Sequence, residues 1–250
     1  MSLLSLNALA AAATALASLA ATASAQGLPG GSTTTPKAVV ELFTSQGCSS
    51  CPAADALLGR IAAERKDVIA ITFPTDTWDY LGWKDTLSSP KFSKRQKAYA
   101  KVFRDMIYTP QAVINGRVHL NGADETLLKR KIDAAGPVQV PIRVTEQAGK
   151  LTIEAAAAPA GEAKHEGTLW LAILSKTVTV PIARGENSGR TLTYHNVVRE
   201  ITPVGIWSGK ALTAQFDRSE IVGPDSDRAA VLLQEGHGGP IIGAAMLDHL

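Results

Sequence analysis

"AVVELFTSQGCSSCPAADALLGRIAAER", residues 38–65, holds both cysteines of the 250-residue chain and joins two different periodicities. Ala38 to Thr44 is apolar and rich in β-branched residues, so it reads as a strand. Over 52–65, Ala54, Leu57, Leu58, Ile61 and Ala62 recur at spacings of three and four, which draws one apolar stripe along a helix. Pro52 suits the first turn of that helix, where its missing N–H costs nothing. Cys48 then lies just past the strand and Cys51 at the helix start. Unpaired N–H groups and the positive end of the helix dipole both favour a thiolate there.

Three readings of the pair compete. In thiol–disulfide exchange, Cys48 is the exposed, attacking sulfur and Cys51, one turn deeper, resolves the mixed disulfide. A structural disulfide is the plainer reading for an exported chain with an even cysteine count. Closing so small a loop contributes only roughly 2 kcal/mol, against about 3 kcal/mol for a fifteen-residue loop, which makes a weak staple. Metal binding is the third reading. A lone pair of thiolates lacks the further ligands of a zinc site, although two thiolates suffice for copper(I).

Working outward, Val68 to Phe73 is a short apolar run bounded by Pro74 and reads as a buried strand. Ser89-Pro90 opens a helix to about Arg104. After Thr109-Pro110 come strands at 111–114 and 117–120, joined by Asn115-Gly116, a strong hairpin signal. A helix over 124–135 is closed by Gly136. The order βαβαββα predicts a mixed four-stranded sheet covered by helices. Beyond Gly136-Pro137 the period becomes two, as in Leu169, Leu171, Ile173 and Val178, Val180, Ile182, with turns spaced for about seven strands of a β-sandwich.

The first 36 residues carry no Asp, Glu, Lys or Arg, and Leu3 to Ala21 is almost wholly Ala, Leu and Ser. With Ala23-Ser24-Ala25 as a small-residue cleavage site, residues 1–25 read as a signal peptide and 26–36 as a flexible tether. The expected domains are then 37–136 and 138–250. With 25 basic against 23 acidic residues, the net charge of +2 argues against nucleic acid or an anionic membrane surface as partner. The basic run Lys91 to Lys101 sits at helical spacing and reads as a solvated face. His119, His165, His195, His237 and His249 are scattered without ligand spacing. Gly236 to Pro240 lacks the Lys and Ser/Thr of a phosphate loop and reads as a turn. The polar loop Gly185 to Arg190 reads as a connection able to contact the other domain or a partner.

Glu41 is unusual as a carboxylate inside a predicted central strand. It either relays a proton to Cys51 or, more plainly, reaches water or a salt bridge.

"VELFTSQGCSSCPAAD" (40–55), "WDYLGWKD" (78–85), "RQKAYA" (95–100), "YTPQAVINGR" (108–117) and "GENSGRTLTYHNVVRE" (185–200) together resemble the bacterial family called domain of unknown function 1223. The resemblance implies a secreted protein with a thioredoxin-like domain followed by a β-rich domain. It also departs from the family pattern. Pro74 stands where a histidine is usual, with Thr75 and Thr77 after it, and Ala53 replaces a second proline.

In thioredoxin-fold oxidoreductases a cis-proline before the third strand faces the cysteines, and Thr109-Pro110 occupies that place, although most X-Pro bonds are trans. The loop with Asp76, Trp78, Asp79, Tyr80, Trp83 and Lys84 either lines a groove for an extended polypeptide or caps the core with its tryptophans. The expectation is therefore a periplasmic or secreted α/β thioredoxin-like domain followed by an all-β sandwich-like domain. Cys48 and Cys51 would exchange disulfides with a protein thiol or disulfide partner. Pro110, Thr109, Asp76, Trp78, Tyr80 and Trp83 would shape the substrate site, and Glu41 would relay protons. No cofactor, nucleic acid or membrane contact after signal cleavage is expected. The alternative is a non-enzymatic copper(I) carrier or envelope-assembly factor.

Overall fold

Ala38–Thr44 forms β1, and all seven of its side chains are buried because both faces of the strand are covered. Ala38, Val40 and Leu42 point to one side. There they meet Ala54, Leu57, Leu58 and Ile61 of α1 (Cys51–Glu64) and Leu128 and Ile132 of α3 (Glu125–Ala134). Val39 and Phe43 point to the other, against Phe92 and Tyr99 of α2 (Pro90–Phe103). The structure, a computed structural model, describes residues 35–159 and 166–250. The expected signal peptide, the tether as far as residue 34, and His165 lie outside the described residues.

Local signals act as expected. Ser89 accepts a hydrogen bond from the Lys91 amide to start α2, and Asp124 accepts one from Leu127 to start α3. β3 (Gln111–Ile114) and β4 (Val118–Asn121) make a hairpin whose Asn115 and Gly116 both have positive φ, 49° and 62°. β2 (Val68–Pro74) pairs parallel with β1, and β3 pairs antiparallel on its other side.

The expected architecture is overturned. The chain does not form a four-stranded thioredoxin-like α/β domain followed by a β-sandwich. Among the described residues it is mostly β, with one 11-stranded mixed sheet and four α-helices. The remaining strands are β5 (Val140–Gln147), β6 (Lys150–Ala155), β7 (Gly167–Pro181), β8 (Thr191–Trp207), β9 (Leu212–Asp217), β10 (Arg228–Glu235) and β11 (Ile241–Leu247), with a short α4 (Arg218–Ile221) after β9. The sheet order is β4-β3-β1-β2-β8-β7-β10-β11-β5-β6-β9.

The physical reason lies in β2. All seven of its residues are buried, none is charged, and such a strand makes a poor open edge. β8 covers it through a parallel contact, Thr72 opposite Val197. Two side chains extend the seam: the Thr72 hydroxyl donates to the His195 carbonyl at 2.7 Å, and Asn196 donates to the Ala70 carbonyl at 2.8 Å. One core therefore draws on both halves, with Phe43, Ile71 and Phe73 packed beside Leu174, Val198 and Leu232. The Gly236–Pro240 turn closes the join, and a Cβ on Gly116 would lie 2.3 Å from the Gly239 carbonyl oxygen. Among the described residues, no helix is long and apolar enough to cross a membrane.

Candidate functional site: the Cys48–Cys51 loop

The chain leaves β1 at Thr44, turns through Ser45, Gln46 and Gly47, and enters α1 at Cys51 with Pro52 in its first turn. The Cys48 amide donates to the Ser45 carbonyl and the Cys51 amide to the Cys48 carbonyl, both at 3.2 Å. Cys48 and Cys51 form a disulfide with Cα atoms 5.4 Å apart. Cys48 is more enclosed than its sequence position suggests, since it is 5% exposed, while Cys51 is fully buried. Ser49 and Ser50 between them are exposed.

Three distant segments hold this loop. First, the 76–88 segment wraps its base. Asp85 accepts from the Gln46 amide at 2.7 Å, and the Gln46 side-chain oxygen accepts from the Trp83 indole N–H at 2.8 Å. Second, Trp78 lies between the loop and the Thr109-Pro110 turn. Its Cβ sits where a Cβ on Gly47 would come within 3.0 Å, and its indole N–H donates to the Thr109 hydroxyl at 2.7 Å. The Thr109–Pro110 peptide is cis. Third, the loop between β7 and β8 reaches over. Buried Asn187 donates to the carbonyls of Gln46 and Cys48 at 2.9 and 2.8 Å, and Glu186 accepts from the Ser49 amide at 3.1 Å.

Thus Trp78 and Trp83 contact the cysteine loop, and Thr109, beside Pro110, is tied to it through Trp78. Tyr80 and Leu81 project from the 76–88 segment, 75% and 44% exposed. Asp76 turns away and accepts from Ser93 on α2. Glu41 does not join the cysteines. It occupies the α2 face of β1, opposite α1, where it accepts from Arg95 Nε at 2.5 Å and from the Tyr99 hydroxyl. Arg95 lies within 6 Å of the ring centres of Phe73, Tyr99 and Trp170, so the plainer reading of Glu41, a buried salt bridge, describes its surroundings.

The acid on the cysteine side is Asp55. It is buried, one helical turn beyond Cys51, and neither carboxyl oxygen has a hydrogen-bond partner. Burial pushes its pKa up to about 8, the nearby Thr44 hydroxyl opposes the rise, and the charge of Asp85 adds to it. Asp85 is raised less, to about 6, by burial, because the Gln46 and Leu87 amides stabilise its charge. Two neighbouring carboxyls therefore hold different protonation states near neutral pH. Burial and the same two acids push the Tyr194 hydroxyl well above its ordinary range, and burial lowers His195. The sequence did not single out Asp55; its signal was a carboxylate four residues from Cys51 on a largely apolar helix. Asn187 carried only its place in a polar loop. Among the described residues, no group of three or more His, Cys, Asp or Glu is arranged to hold a metal.

The family model for DUF1223, a protein of unknown function, matches residues 39–234. The chain belongs to the DUF1223 family. This DUF1223 protein is similar to one from Agrobacterium tumefaciens of known crystal structure, with 31% identity, a TM-score of 0.75, and coverage of 86% of this chain and 96% of that one. It is also similar in fold to HBP35 of Porphyromonas gingivalis, at 13% identity and a TM-score of 0.59, over 86% of this chain and 76% of that one. No curated protein matches the DUF1223 chain significantly.

Proposed function

We propose that this DUF1223 protein is exported and exchanges disulfides with a partner polypeptide through Cys48 and Cys51. The observation that carries the reading is the asymmetry of the pair: Cys48 keeps a small exposed surface beside two exposed serines, whereas Cys51 is sealed beneath it at the start of α1. A partner thiolate meets Cys48 first, and the leaving Cys51 sulfur departs at the positive end of a helix. Tyr80 and Leu81 supply apolar surface for an extended chain beside the loop. Export rests on the composition of residues 1–25 and suits an oxidised pair.

The test is a glutathione titration of the pair, combined with the pH dependence of Cys48 alkylation in the reduced protein. Exchange predicts a potential above roughly −300 mV and a Cys48 that reacts as a thiolate near neutral pH. A lower potential with an unreactive Cys48 favours an inert disulfide. Tight copper(I) uptake by the reduced protein, abolished in Cys48→Ser, favours a metal carrier.

A further inference from the structure

Cys51, Asp55 and Gly59 follow one another at intervals of four along α1, so they share one face of the helix. That face turns toward β8. Gly59 permits the close approach, since a Cβ there would meet the His195 ring at 2.3 Å. The hydroxyls of Thr44 and Tyr194 are buried and unpartnered, like both carboxyl oxygens of Asp55. A salt bridge explains Glu41, and two backbone amides explain Asp85. For Asp55 only the Thr44 hydroxyl favours the charged form, and burial outweighs it.

We propose that Asp55 donates and accepts the proton of Cys51 during disulfide exchange, an inference that rests on the redox reading above. Cys51 is fully buried, and a bare thiolate there is costly for the same reason as a bare carboxylate. Residues four apart on a helix have Cβ atoms roughly 6 Å apart, which allows transfer directly or through one water.

In the forward direction a partner thiolate attacks Cys48 Sγ. The Cys48–Cys51 bond breaks, a Cys48–partner disulfide forms, and Asp55 passes its proton to the departing Cys51 sulfur. When a second partner thiolate attacks the partner's sulfur of the mixed disulfide, Cys48 is released as a thiolate. The protein is then a dithiol and the partner is oxidised. In the reverse direction the Asp55 carboxylate removes the Cys51 proton. The Cys51 thiolate then attacks Cys48, expels the partner thiolate and restores the disulfide.

The proton also has a way out. A groove of about 560 Å³ between α1 and β8 is lined by Asp55, Gly59, Arg190, Thr193 and His195, while Cys48 is not part of it. The Asp55 carboxyl oxygens are buried beneath the wall of this groove, so the α1–β8 side is the short route to solvent for its proton while a partner covers Cys48. The titratable groups around Asp55 are Asp85, Tyr194, Arg190 and His195. Asp85 raises its proton affinity, and Arg190 acts on neighbouring Tyr194.

The experiment follows reduced protein mixed with oxidised glutathione at several pH values. It separates formation of the Cys48–glutathione disulfide from its resolution by Cys51. Asp55→Asn is expected to leave Cys48 alkylation within twofold of wild type, slow resolution at least tenfold at pH 7, and move the midpoint of its pH profile up by more than one unit. Asp55→Glu is expected to recover part of the rate. An unchanged resolution rate and profile in Asp55→Asn, with wild type resolving normally, overturns this inference alone. A wild-type Cys48 that never joins glutathione overturns it together with the redox reading. If Asp55→Asn does not fold, infrared spectra of the wild type decide. A protonated carboxyl band that shifts on reduction supports the inference, and one indifferent to reduction overturns it.

Discussion

The side-chain amide of Asn187 donates to the carbonyl of Cys48 at 2.8 Å, across 139 residues of sequence. It also holds Gln46, so the β7–β8 loop sets the shape of the turn that carries the disulfide. Asn187→Ala removes the bond to the Gln46 carbonyl and one of the two bonds to the Cys48 carbonyl, which keeps the Cys51 amide, at a cost of about 1–3 kcal/mol. Urea unfolding of the oxidised protein measures that loss. In the reduced protein the loosened turn is expected to raise the rate of Cys48 alkylation.

Asp55 makes stability depend on pH with a definite sign. Its folded pKa, about 8, lies above the ordinary carboxyl value, so the native state keeps a proton that the unfolded chain releases. The stabilisation is full below about pH 4 and is lost as pH rises toward 8, with a limiting slope of about 1.4 kcal/mol per pH unit. Asp85 acts in the same direction at lower pH, up to about 6. His195, lowered by burial, acts in the opposite sense near pH 6.5, so the difference between wild type and Asp55→Asn in thermal unfolding from pH 6.5 to 8.5 isolates Asp55. Wild type is expected to lose stability over that range and Asp55→Asn to lose much less.

Glu41 and Arg95 form a buried pair on the face of β1 opposite the cysteines. Arg95→Ala strands the Glu41 carboxylate and is expected to cost about 3–5 kcal/mol. Glu41→Gln is expected to lower stability while leaving the pH profile of Cys48 alkylation at its wild-type position. A displaced profile would give Glu41 a part in the chemistry.

Tyr80 and Leu81 are exposed beside the cysteine loop and contribute nothing to the core. Tyr80→Ala with Leu81→Ser is expected to slow exchange with a reduced, unfolded polypeptide several-fold and to leave exchange with glutathione unchanged. Equal slowing of both reactions would remove this surface from substrate recognition.

The single sheet predicts that its halves depend on each other. A fragment ending at Gly136 exposes the β2 edge and the apolar faces of Phe43, Ile71 and Phe73 that the second half covers. Such a fragment is expected to aggregate or stay unfolded by circular dichroism and gel filtration. A folded monomer would show that residues 37–136 stand alone.

The chain's local elements were legible because their signals are local. The change of period between β1 and α1, the caps at Ser89 and Asp124, and the Asn115-Gly116 turn each act within a few residues. The position of the cysteine pair between strand end and helix start followed from the same stretch. Turn spacing after Gly136 suggested about seven strands, the number among the described residues, although the alternating groups at Leu169–Ile173 and Val178–Val180 belong to one strand, β7.

Which strand edges meet was decided only in three dimensions. A period of two assigns faces to a strand and says nothing about its neighbour, and the β2–β8 seam rests on one ladder pair and the side chains of Thr72 and Asn196. The same holds for the acids. Glu41 stands out in sequence as a misplaced carboxylate and Asp55 does not, yet packing gives Glu41 an arginine and leaves Asp55 without a basic partner. Sequence by itself determined where sulfur, helix and strand begin, because those depend on neighbours along the chain. Tertiary structure alone decided that one sheet spans both halves and which carboxyl keeps its proton, because both depend on burial against residues more than a hundred positions away.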